Sequence, residues 1–94
     1  MNDRRSKLRQ TGEQALASGD GRRAFKAYAE LEQLEPNEVL WPKRAAEGAR
    51  KAGKNAEAAL AFRRAAAVYL RLGFASHAQA MIKLAVQLEA LAPS

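Results

Sequence analysis

Apolar residues recur along this chain at helical spacing, in segments that glycine and proline break apart. In "RRAFKAYAELEQL", residues 22–34, Ala24, Phe25, Tyr28, Leu31 and Leu34 fall on one face, while Arg22, Arg23, Lys26, Glu30 and Glu32 fall elsewhere. Steps of three and four residues place the first set on one stripe of an α-helix, and that stripe is core. Upstream, Leu8, Gly12, Ala15 and Leu16 share a face whose small residues let a neighbouring helix approach closely. Residues 39–52 offer Trp41, Ala45, Ala49 and Ala52. Pro42 stands near the start of that segment, where a missing N–H costs least, and Asn37 is placed to cap it.

Two longer segments follow. In residues 56–72, Ala58, Phe62, Ala65, Tyr69 and Leu72 make one stripe that Ala59, Ala66 and Leu70 widen, which predicts contact on both flanks. Residues 76–92 carry Ala78, Met81, Ile82, Ala85, Leu88 and Leu91, with Leu84 and Val86 in addition, more apolar surface than one neighbour covers. Breaks at "SGDG" (18–21), "EPN" (35–37), "AGKN" (52–55), "LGFAS" (72–76) and "APS" (92–94) separate five helices. Phe74, behind Gly73, is expected to plug the junction between the fourth and fifth. Alanine, leucine, glutamate, arginine and lysine dominate while β-branched residues are few, so no strand is expected.

The segments repeat. Laying "GDGRRAFKAYAELEQLEPN" over "GKNAEAALAFRRAAAVYLR" sets Gly19 on Gly53, Ala24 on Ala58, Tyr28 on Phe62 and Leu34 on Val68, an offset of 34 residues. A shorter echo, "GFASHAQAMIKLAVQLEA", follows 20 residues after the second copy, with Gly73, Ala78, Ile82, Ala85 and Leu88 at the same internal spacing. A fixed period of this length marks stacked supersecondary units.

This pattern resembles the tetratricopeptide repeat, a 34-residue helix–turn–helix unit. The family's small, glycine, alanine, aromatic, alanine and proline positions are met by Gly12, Gly19, Ala24, Tyr28 and Pro36 in one copy, and by Ala46, Gly53, Ala58, Phe62 and Ala65 in the next. The chain departs from the pattern at Leu8, where the family favours tryptophan, at Leu31, where it favours a small residue, and at Leu70, which replaces a terminal proline. The long fourth helix followed by "GFASHAQAM" is similar to tetratricopeptide modules attached to signalling domains in some bacterial regulators. The resemblance implies one all-α domain over residues 1–94: repeat one at about 5–38, repeat two at about 39–72 and a closing helix at about 76–92. These would form about two and a half repeats in a right-handed superhelical stack. It also implies a concave groove lined by the first helix of each pair, which binds a peptide or partner helix and performs no catalysis.

Charge sharpens the expectation, because sixteen Lys and Arg against ten Asp and Glu give a net charge of +6, which favours anionic partners. Lys43, Arg44, Glu47, Arg50 and Lys51 take positions that line the groove in the resembled family, and Trp41 stands beside them as either core or ligand platform. Glu13 and Arg44 occupy places where that family's carboxylate clamp needs asparagine, so an acidic or amphipathic peptide is the expected ligand. A second candidate interface is the fifth helix, where Met81, Ile82, Leu84, Leu88 and Leu91 would join a partner helix or a second copy. Nucleic acid is the weaker reading: "RRSKLR" (residues 4–9) and the doublets Arg22–Arg23 and Arg63–Arg64, read as level with each other on the second helices, are basic but not interleaved with exposed aromatics.

Chemistry is sparse. With no cysteine and a single histidine, His77, in the first turn of the fifth helix, no nucleophile–base pair or metal site is visible and no cofactor is expected. Glu30, Glu32, Glu35 and Glu38 gather at the seam and read as a solvated rim; "GDG" at 19–21 is a turn, not a calcium loop. The N-terminus is basic with no apolar run behind it and no stretch approaches the roughly 20 residues of a membrane span, so a cytoplasmic protein is expected.

Overall fold

A computed structural model describes residues 3–92. Five α-helices run in order: α1 (Asp3–Ser18), α2 (Gly21–Leu34), α3 (Leu40–Lys51), α4 (Asn55–Arg71) and α5 (Ala75–Leu91), with no strand among the described residues. Of the expected last break, residues 93 and 94 lie outside them. Each helix packs chiefly on its neighbours in sequence. The molecule measures 38 × 31 × 18 Å, its short dimension close to two helix diameters of roughly 10 Å each.

Three of the four connections are the same turn. Gly19, Gly53 and Gly73 adopt φ of 81°, 75° and 87°, the left-handed region that a side chain disfavours. The amide after each glycine, that of Asp20, Lys54 or Phe74, donates 2.8 Å to the carbonyl five residues back, on Ala15, Ala49 or Tyr69. This is the glycine-ended helix cap in which the turn itself satisfies a last-turn carbonyl. The spacing of 34 and then 20 residues read in the sequence is therefore a spacing of identical turns.

The α2–α3 junction is built differently. The Glu35 amide caps α2 on the Leu31 carbonyl at 2.8 Å, and Val39, in helical geometry, precedes α3 without a side-chain cap. Asn37 does not cap α3. It lies two residues ahead of the capping position, and Glu38 instead accepts from the Leu40 amide at 3.2 Å, while Asn37 Oδ1 accepts from Arg71 at 3.5 Å.

Alanine fills most of the interior: Ala15, Ala24, Ala45, Ala46, Ala58, Ala61, Ala65 and Ala85 are wholly buried. Tyr28 and Leu31 are the largest fully buried side chains. Small residues contribute little transfer free energy each, so cohesion here depends on helices lying close together. The sequence repeat is a repeat of burial as well, since Ala24 and Ala58, Tyr28 and Phe62, and Leu31 and Ala65 are all core. Gly12 lies under the Tyr28 ring, where a methyl group would come within 2.6 Å of two ring carbons.

Candidate functional site

The charged face of α3 is where sequence placed the binding residues. Glu47, Arg50 and Lys51 are exposed there, and Lys43 and Arg44 are half-buried. Trp41 is not among them: it is 8% exposed, its ring stacks on Tyr28 at 5.8 Å between centroids, and its Nε1 donates to Glu35 Oε1 at 2.6 Å. An indole held on its face and at its nitrogen has no surface left for a ligand, so Trp41 is core.

Lys43 and Arg44 are engaged internally. Lys43 Nζ donates to the Tyr69 hydroxyl at 3.2 Å and stands 5.7 Å from the centre of the same ring. Arg44 pairs with Glu47 at 3.8 Å and lies close enough to the Tyr28 hydroxyl to oppose the effect of burial there. Burial nevertheless wins and pushes the Tyr28 phenol above its ordinary 10.0, with Glu13 and Glu47 adding in the same direction. Two carboxylates around one guanidinium leave this part of the face without excess charge.

Beside Lys43 lies an aromatic step. Tyr69 and His77 rings are 5.1 Å apart, Phe74 and His77 5.6 Å, and Tyr69 and Phe74 6.4 Å. Phe74 fills the helix junction only in part: its ring meets Tyr69 of α4 and His77 of α5, and half of it faces out. His77 keeps its first-turn place and is exposed.

The α5 residues do not form one surface. Met81 and Leu88 are buried on the stripe that includes Ala78 and Ala85, Leu84 is half-buried, and Ile82 and Leu91 are exposed on different sides of the helix. Ile82 stands about 100° around the helix from Met81 and about 180° from Leu91, which is why a stripe read from spacing alone mixed core with surface. Val86, set outside the stripe, is 51% exposed.

Ion pairs engage several of the arginines. Arg4 pairs with Glu30, Arg5 with Glu35 at 3.5 Å, Arg64 with Glu32 at 2.8 Å, and Arg63 with Glu89 through two hydrogen bonds of 2.7 Å. Glu30, Glu32 and Glu35 are thus bridging groups, not a solvated rim. Nor are the arginine doublets level: Arg22 and Arg23 open α2, whereas Arg63 and Arg64 stand in mid α4.

Of the cations outside these pairs, Lys7, Arg9, Lys43, Arg71 and Lys83 are scattered and the others gather at one end. Arg22, Arg23 and Lys26 in the first turns of α2, Arg50 and Lys51 in the last turn of α3, and Lys54 ahead of α4 surround the two interhelical turns. None of them forms an ion pair among the described residues. Asp20, Glu57 and, next to Arg50 and Lys51, Glu47 are the acids beside them, and Asp20 caps α2 by accepting from the Arg23 amide at 3.2 Å. Of this cluster, Arg50 and Lys51 are the expected groove residues and Arg22 and Arg23 the expected doublet. Lys26 and Lys54 carry no such signal in the sequence, although Lys54 holds the same place after its glycine as Asp20 does.

Among the described residues no cluster of three or more His, Asp or Glu side chains is placed to hold a metal ion, and no helix is long and apolar enough to cross a membrane. Compared with known proteins, the chain matches no protein-family model and no curated protein.

Proposed function

We propose that this chain is a non-catalytic, tetratricopeptide-like interaction module that holds an acidic segment of a partner protein. The observation that carries the reading is the gathering of Arg22, Arg23, Lys26, Arg50, Lys51 and Lys54 at one end without ion pairs, while Arg4, Arg5, Arg44, Arg63 and Arg64 elsewhere are bound to glutamates. Charges without internal partners raise the local concentration of anions and steer them inward. The 34-residue recurrence of buried positions and the identical glycine turns support the repeat reading, with α1–α2 and α3–α4 as two helix pairs, α5 as the closing helix and a right-handed superhelical course.

In this arrangement the concave groove of α3 plays a lesser part than its charge count implies, since Lys43 and Arg44 are already committed. Its contribution falls to Arg50 and Lys51, which also belong to the turn end. The partner is a protein and not nucleic acid because a single partly exposed aromatic, Phe25, stands at this end, while the others are core or lie at the opposite end, where α5 begins.

The test uses the purified chain immobilised beside an Arg50→Glu, Lys51→Glu variant, exposed to nuclease-treated and untreated extracts of its source cell at low and moderate salt. Retained proteins are identified by mass spectrometry. The expected result is one protein held from both extracts, lost from the variant and weakened by salt, because exposed charges are screened over about 10 Å or less. Retention only where nucleic acid survives would overturn the reading.

A further inference from the structure

A cleft between α2 and α4, over the last turn of α3, encloses about 330 Å³. Arg22, Lys26 and Lys54 form its rim with one acid, Glu57, and Phe25, Ala49 and Ala52 form its floor. None of the three cations is ion-paired among the described residues. A positive rim over an apolar floor suits a ligand that is negative and apolar in neighbouring parts. The volume lies at the small end of the roughly 300–1,000 Å³ of ligand pockets, room for a bulky side chain and its neighbour but not for a large cofactor.

The two repeats differ at this spot in one informative way. Asp20 and Lys54 occupy the same turn, each following a left-handed glycine and each donating its amide to the carbonyl five residues back. Asp20 also turns its carboxylate onto the Arg23 amide at the start of α2. Lys54 has no acceptor to offer, and α4 begins without a side-chain cap. The first-turn N–H groups of α4 therefore lack the carboxylate that α2 possesses, beside a cleft whose rim is cationic.

We infer that this cleft receives an acidic–apolar segment of the partner protein: one bulky apolar side chain rests on Phe25, Ala49 and Ala52, and an adjacent Asp or Glu carboxylate sits among Arg22, Lys26, Lys54 and the first turn of α4. The inference rests on the reading that the partner is an acidic protein segment, and it names the place and the pairing of residues recognised. Glu57 repels a second carboxylate on its side, which favours a single acid next to the apolar residue over a uniformly anionic chain. That preference, and the apolar floor, select peptide over nucleic-acid backbone.

The full chain, labelled with nitrogen-15, would be titrated in separate NMR experiments with three probes: a capped peptide containing Glu-Phe, the same peptide with Gly for Phe, and a short oligothymidylate. The expected result is saturable shifts of amides in residues 22–26, 49–52 and 54–57 with the Glu-Phe peptide, and markedly smaller ones with the other two. Lys54→Asp gives a second readout. It restores to α4 the cap that α2 has, so its melting temperature should rise, while peptide binding should weaken roughly tenfold or more. Lys83→Glu, on α5, should leave binding unchanged. Equal shifts from the glycine peptide, tighter binding of oligothymidylate, or undiminished binding by Lys54→Asp would each overturn the cleft. Shifts confined to the exposed face of α3, around Lys43 and Glu47, would overturn the cleft and leave the acidic-partner reading standing. No shift from any probe would overturn the cleft, and the extract experiment would then decide the broader reading alone.

Discussion

The backbone of Gly48 in α3 lies against that of Gly21 in α2: a methyl group on Gly48 would stand 2.8 Å from the Gly21 carbonyl oxygen and 2.7 Å from the Phe25 amide nitrogen. Both obstacles are main chain, so no rotamer change relieves them and the helices must part. Gly48→Ala gains about 1 kcal/mol of helix propensity, but overpacking against rigid neighbours costs about 1–3 kcal/mol. The alanine core around this contact, Ala24, Ala45 and Ala49, loses close packing along its length when the helices separate. The expected outcome is a lower urea midpoint for Gly48→Ala. A midpoint that holds or rises would show that α2 and α3 can separate without loss.

Trp41 is the chain's only tryptophan, so its fluorescence reports one environment. Its Nε1 donates to Glu35 Oε1, and Glu35 also meets Arg5 at 3.5 Å. Glu35→Ala leaves a largely buried indole N–H without its acceptor, a loss of about 1–3 kcal/mol. Glu35→Gln keeps an amide oxygen in reach and should cost less. The check is urea unfolding followed at the tryptophan emission: the midpoints should rank wild type, then Glu35→Gln, then Glu35→Ala. Equal midpoints for the last two would remove the hydrogen bond from the account.

What could be read from the chain, and what could not, divides along sequence distance. The helix in residues 21–34 was legible because Ala24, Tyr28 and Leu31 are spaced for one face and glycine and proline bound it. The glycine turns were legible for the same local reason. The true state of the charges was not, because Arg64 finds Glu32 from 32 residues away and Arg63 finds Glu89 from 26. Spacing also failed to separate the two sides of α5, since Met81 and Ile82 both lie near its apolar stripe and only packing on α4 decides which is covered. Lys43 looked free for a ligand until Tyr69, on the next helix, was brought beside it.

The bidentate pair between Arg63 and Glu89 ties α4 to α5, and it makes a pH-dependent contribution. Hydrogen bonding from Arg63, reinforced by its charge, holds the Glu89 carboxyl below its ordinary 4.5. A folded value below the unfolded one means that stabilisation is present above the unfolded value and disappears as pH falls through the folded one. Both groups are exposed, so the effect is small and weakens with salt. Glu89→Gln should therefore melt slightly below wild type at neutral pH, with the gap closing as the solution is acidified past 4.5. A gap that persists unchanged in acid would assign the difference to something other than this charge.

Leu88 and Leu91 are both leucines of α5, three residues apart, with opposite surroundings: Leu88 is 7% exposed and Leu91 71%. Leu88 lies on the stripe with Ala78, Met81 and Ala85 that α4 covers, so a glutamate there must bury a charge or push the helix away. Leu88→Glu should destabilise the fold by at least about 3 kcal/mol, in the range of the largest core losses. Leu91→Glu replaces exposed surface with exposed surface and should stay within about 0.5 kcal/mol of wild type. Unfolding curves of the two variants, with solution mass measured alongside, separate packing from association. If Leu88→Glu left stability intact but changed the solution mass, α5 would be an interface between copies and its packing on α4 would have to be redrawn. The expected result is the reverse: loss of stability at Leu88, little or none at Leu91, because one side chain holds α5 to the stack and the other faces mostly water.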